Sequence, residues 1–297
     1  MSGGGVKANF ASCLQWMPWP GPLPIPSSFS IFSGMLDAII LGLVEGFTEF
    51  LPVSSTGHLL IAQAILKTPQ SQAFNIAIQM GPILAVTAVF WRHLWELATG
   101  LKKPAIRDEA IKICASFGLT GVAGLMAKKL GMELPESVFP VAIATLLGAF
   151  VIFWAENKAK SGVFSDKITW AVVVAVAAGQ VLAMVFPGTS RSGAAIIAAL
   201  LLGLARPAAV RFAFLVGIPT LLSAGCLELK DAFEKGQGAT LLTPESLVAF
   251  AVATLTAWLS VVWLLKFVQT RNFVPFAWYR LALGFVLVGL VGFGVLQ

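Results

Sequence analysis

Glu45-Gly-Phe-Thr-Glu49-Phe-Leu-Pro52-Val-Ser54-Ser55-Thr56-Gly57-His58 interrupts an otherwise apolar segment, residues 36–66. The flanking residues favour helices, whereas Pro52, three consecutive hydroxyl residues and Gly57 break them. The segment therefore reads as helix, irregular turn, helix. Residues 169–204 have the same form, broken at Pro187-Gly188-Thr189-Ser190-Arg191-Ser192-Gly193. Irregular backbone at membrane depth is tolerated only where protein buries it or it lines a cavity. Two re-entrant hairpins are predicted.

The rest of the chain suits lipid. Of its 297 residues 58% are apolar and 11% charged, against about 25% charged in an average globular chain. That balance excludes an ordinary soluble domain and a disordered chain. Further apolar runs at 76–91, 113–127, 138–155, 212–227, 246–265 and 275–296 predict six crossings, the shorter ones extended by interface residues such as Trp91 and Trp95. Residues 1–34 are rich in Gly and Pro and form an extension expected to be unstructured or interfacial, with Met35 an alternative start. Residues 35–297 then form one membrane domain. Cys13, Cys114 and Cys226 are too scattered for a disulfide framework and read as small apolar residues.

The two hairpin segments are related. At an offset of 136, Phe50, Ser54, Gly57, Ile61, Ala62, Leu66, Ala73, Ala77, Gly81 and Ala88 match Phe186, Ser190, Gly193, Ile197, Ala198, Leu202, Ala209, Ala213, Gly217 and Ala224. Each hairpin precedes three crossings, giving halves of about 35–164 and 165–297. A half with three crossings leaves its successor upside down. The predicted fold is thus an all-α polytopic inverted repeat, an architecture whose sites form near the midplane. Connectors 92–112, 156–168, 205–211 and 266–274 hold twelve Lys and Arg residues, against five in 67–75, 128–137 and 228–245. The first set is assigned to the cytoplasm. The net charge of +6 is accounted for by those connectors, and no nucleic-acid partner is expected.

Glu45 and Glu49 lie four residues apart on one helix face. Acidic side chains at membrane depth cost about 2.5–3.5 kcal/mol each on insertion scales, which points to a function. They either ligate a divalent cation through hard oxygens or serve as acid and base; a buried structural network is the plainer alternative. Ser54, Ser55 and Thr56 precede a helix, where hydroxyls act as N-caps but can also build an anion site or supply a nucleophile. His58 follows within one turn and reads as a proton-transfer group or an attacker of phosphorus. Ser190, Arg191 and Ser192 repeat the device with a guanidinium suited to phosphate, or to an ion pair with Glu45 or Glu49. Arg92 and His93 read as interface anchors. Tyr279 and Arg280, near the start of a run, read as snorkelling to the interface, and Arg206 and Arg211 as headgroup contacts.

These two motifs resemble the signatures of the undecaprenyl-diphosphate phosphatase, or bacitracin-resistance, family. The likeness runs from Met35 to the C-terminus and includes Gln79-Met-Gly-Pro-Ile-Leu-Ala85. It implies a bacterial inner-membrane hydrolase removing one phosphate from undecaprenyl diphosphate, which recycles the carrier lipid of peptidoglycan synthesis and confers bacitracin resistance. By motif position Glu45 and Glu49 match the acidic pair, Ser55 and His58 the catalytic hydroxyl and imidazole, and Ser190 and Arg191 the phosphate-binding turn. Arg191 joins the catalytic set, and Gly188, Ser54, Thr56 and Ser192 are expected to bind substrate. Mg²⁺ or Ca²⁺ is expected at Glu45 and Glu49, and a homodimer is an open expectation. The nucleophile is Ser55, His58 or water. One departure is Ala195, where the family usually has Thr, leaving that hydroxyl's role lost or moved to Thr189 or Ser192. The competing class is an inverted-repeat transporter or flippase of a phosphorylated polyprenyl lipid.

Overall fold

A computed structural model of the chain describes residues 27–67, 72–132, 137–160, 162–236 and 238–296. Among them are eleven α-helices and no strand: α1 (Ser27–Thr48), α2 (Ser55–Leu66), α3 (Gln72–Val89), α4 (Trp91–Thr99), α5 (Pro104–Lys129), α6 (Val138–Ala159), α7 (Trp170–Val185), α8 (Arg191–Leu201), α9 (Arg206–Glu234), α10 (Pro244–Thr270) and α11 (Val274–Gly292). Helix α1 begins at Ser27, so the last residues of the extension are helical; residues 1–26 lie outside the described residues.

Five helices, α5, α6, α9, α10 and α11, are long and apolar enough to cross a bilayer alone. The sixth predicted crossing, 76–91, is α3, which turns into α4 with a bend of 66°. Trp91 and Trp95 of α4 are exposed, as interface side chains would be. His93 there bonds Glu109 of α5 at 3.1 Å.

Both hairpins form as predicted, α1–α2 and α7–α8. Their second helices begin at Ser55 and Arg191, again 136 residues apart. The symmetry extends to packing between the halves: α1 and α3 lie on α10, and reciprocally α7 and α9 lie on α5. Contact between α1 and α10 depends on small residues, as lipid-embedded interfaces do. A Cβ at Gly46 would stand 1.9 Å from Thr256 Oγ1 and 2.5 Å from the Ala253 carbonyl. The main core lies among α7, α8 and α9, with Val173, Ile196, Phe212, Phe214 and Val216 buried. Large apolar side chains such as Phe150, Trp154, Trp258 and Trp263 form the outer face.

Arg206 is not a headgroup contact. It forks onto the buried Glu156 carboxylate of α6, with Nε donating to Oε1 at 3.0 Å and Nη2 to Oε2. The Phe273 N–H donates to the same Oε1 at 2.8 Å. A carboxylate this deep needs several donors, and Arg206 supplies two of them.

Candidate active site

The two hairpin turns meet inside the helical bundle. Ser192 Oγ donates to the carbonyls of Glu49 at 3.3 Å and Leu51 at 3.2 Å, and Ser190 Oγ approaches that of Leu51 at 3.4 Å. Ser54 and Ser190 are helix N-caps. Each accepts an N–H bond three residues on, from Gly57 and Gly193, and each holds a positive φ, 76° and 71°. Non-glycine residues seldom adopt that conformation. The strained caps place the starts of α2 and α8 beside the joined turns, and N–H groups in a first helical turn lack intrahelical partners, which suits each terminus to an anion.

Glu45 is buried, and neither of its carboxylate oxygens has a hydrogen-bond partner. Glu49, one turn later, accepts a bond from Ser55 Oγ at 2.7 Å. Arg191 lines a small cavity with Glu49, Ser192 and Ala195. Among the described residues the guanidinium makes no ion pair with either carboxylate. His58 is held at both nitrogens, Nδ1 facing the Ser54 carbonyl and Nε2 the Tyr279 hydroxyl, each at 2.7 Å. A carbonyl only accepts, so Nδ1 carries the proton and neutral Nε2 receives the tyrosine O–H. Ser55 is thus paired with Glu49 and not with His58. Thr56 is half-buried in the first turn of α2. Gly188, at φ 92°, serves the turn itself: a Cβ there would lie 2.5 Å from the Val141 carbonyl. Thr189 Oγ1 donates to the Phe186 carbonyl at 2.7 Å, so neither it nor Ser192 carries a free hydroxyl in place of the one absent at Ala195.

Arg280 corrects the reading of it as a snorkelling residue. It is 1% exposed and donates to five carbonyls: Thr145 and Ala144 of α6, Gly188 and Thr189 of the second turn, and Pro52 of the first. Space for it comes from Gly148, where a Cβ would stand 2.1 Å from Nη2. Tyr279 is partly exposed, but its hydroxyl is committed to His58. Sequence reading judged Arg280 by nearness to the run's edge; α11 begins at Val274, which leaves the side chain nearly two turns inside. A second missed residue is Gln180 of α7, 1% exposed, with both amide atoms unpartnered at the wall of the cavity holding Glu49 and Arg191. Its signal was one amide in the apolar run 171–185.

The carboxylates also fit a divalent cation. Glu45 offers two unpartnered hard oxygens beside Glu49, and a cation held by one or two carboxylates with substrate phosphates completing its shell is the habit of Mg²⁺. Among the described residues no third His, Cys, Asp or Glu joins them.

Fold and hairpin contacts together define an all-α polytopic membrane protein whose two hairpin turns are joined inside the bundle. Residues 38–286 match the family model described as bacitracin resistance protein BacA. The chain is 46% identical over 262 residues to an undecaprenyl-diphosphatase of Rhizobium etli, covering 88% of this chain and 98% of that protein. It is 48% identical over 255 residues to one from Xylella fastidiosa, 86% of this chain and 97% of the relative. One from Xanthomonas campestris pv. campestris is 46% identical over 257 residues, covering 86% and 97%. The chain belongs to the bacitracin resistance protein BacA family.

Proposed function

We propose that the chain hydrolyses undecaprenyl diphosphate to undecaprenyl phosphate and phosphate in the bacterial inner membrane, returning the carrier lipid to cell-wall synthesis. The observation that carries the mechanism is the 2.7 Å bond from Ser55 to Glu49 where two helix N-termini and Arg191 converge. A hydroxyl on a carboxylate is an activated nucleophile, and N–H groups with a guanidinium stabilise charge growing on a phosphoryl group.

Arg191 and the N–H groups of α2 and α8 bind the terminal phosphate. Ser55 Oγ attacks its phosphorus and passes its proton to Glu49. The bond from phosphorus to the bridging oxygen breaks, and undecaprenyl phosphate leaves with the electron pair. His58, its tautomer fixed by the Ser54 carbonyl, is the proton carrier at the edge of the site. Glu45 and Glu49 would hold Mg²⁺ or Ca²⁺, which supplies neutralisation of diphosphate charge. Arg280 holds both turns in register and adds an unpaired positive charge beneath them. The polyprenyl tail lies against the apolar outer helices. A homodimer belongs to the same proposal, and crosslinking in native membranes would test it.

Purified protein in detergent, given undecaprenyl diphosphate with and without chelator, should release phosphate, and less of it with chelator. Wild-type protein that binds the lipid without releasing phosphate under any added cation would overturn the hydrolase reading in favour of a carrier.

A further inference from the structure

The cavity beside Glu49 is closed by Phe50, Gln180, Arg191, Ser192, Ala213 and Phe214, among others, and measures about 20 Å³. A space of that size suits a water molecule. A buried site needs ~10–15 Å³ and two to four polar partners to hold one water molecule. This one has a carboxylate, a carboxamide, a guanidinium and a hydroxyl on its wall.

Gln180 points to the occupant. A carboxamide has two donors and two acceptors, and burying it unpaired is unfavourable. Yet Gln180 is 1% exposed, and neither its Oε1 nor its Nε2 has a partner. Gln180 lines the cavity and carries unspent hydrogen-bonding capacity.

On the diphosphatase reading above, we propose that this cavity is the binding site of the hydrolytic water and that Gln180 is its positioning residue. Water placed there gives one O–H to Gln180 Oε1 and the other to Glu49, leaving lone pairs toward the phosphoryl group at Arg191. After the first step Glu49 yields the serine proton to the departing undecaprenyl phosphate and becomes a base again. It then takes a proton from the water, whose oxygen bonds to phosphorus. The bond from phosphorus to Ser55 Oγ breaks, and that oxygen recovers the proton from Glu49. One water is consumed, one phosphate is released, and Ser55 is restored.

Two variants address the site from opposite walls. Gln180→Met keeps the side chain's shape and removes its polar atoms. Gly217→Ala, on α9, places a methyl where a Cβ meets no heavy atom within 4 Å, at a buried residue lining the cavity. It narrows the water site without steric conflict and favours the helix. Rapid-quench assays of both proteins with undecaprenyl diphosphate should show a burst of one undecaprenyl phosphate per enzyme. Phosphate release should then be slow and kcat/KM unchanged, with phosphate trapped on Ser55 and kcat and KM both about 10²-fold lower for Gln180→Met. The burst itself reports a folded protein with an intact first step. Wild-type turnover in both variants, or slow turnover without a burst, overturns the inference. Wild-type protein that releases no phosphate at all overturns the diphosphatase reading instead.

Discussion

At the residue scale, chemistry depends on how few of the intramembrane polar groups are satisfied by the protein alone. Ser54, Ser190 and Ser192 are spent on turns and on joining the hairpins. Glu45 and Gln180 keep unpartnered atoms, and the Glu49 carboxylate is engaged by a hydroxyl it can deprotonate. Glu49→Gln preserves the shape and loses the base, so phosphate release should fall by about 10²–10⁴-fold with melting in detergent little changed. An active Glu49→Gln enzyme would remove Glu49 from the reaction. Arg280 differs in kind. Arg280→Ala deprives five carbonyls of their donor, and each buried acceptor left bare costs about 1–3 kcal/mol. The expected result is little folded protein, read by size-exclusion and thermal melting, with Arg280→Lys intermediate. A monodisperse Arg280→Ala protein melting like wild type would deny it the clamp.

At the element scale, hairpins and crossings were legible because proline, glycine and hydroxyl clusters punctuate apolar runs unmistakably. The first residues of α2 and α8, Ser55 and Arg191, fall inside those clusters. What was not legible has a common cause: sequence shows how far a charge lies from the edge of a run, not what faces it. Arg280 reads as peripheral until Gly148 of α6 is seen to make room for it. His58 reads as a proton-transfer group or an attacker of phosphorus, and nothing in its neighbourhood shows that Tyr279, 221 residues away, faces its second nitrogen. The glycines of α1 likewise acquire meaning only from α10. Gly46→Val drives its side chain into Thr256 and the Ala253 carbonyl. It should destabilise the protein by about 1–3 kcal/mol, as overpacking does. Gly118→Ala on α5, where a Cβ meets nothing within 4 Å, should melt like wild type.

At the scale of the whole molecule, the excess of Lys and Arg in four of the connectors predicts which way the site opens. Single cysteines placed in 92–112 should react with an impermeant maleimide only after the membrane is permeabilised, and those in 228–245 without it. The reverse pattern would invert the topology and turn the site toward the other leaflet. Reciprocal packing of α1 on α10 and α7 on α5 also bears on biogenesis. While the first half is being made, α1 can pack on α2 and α3 but lacks its most extensive partner, α10, which ends only at Thr270. Neither half therefore completes its packing until the other has been made.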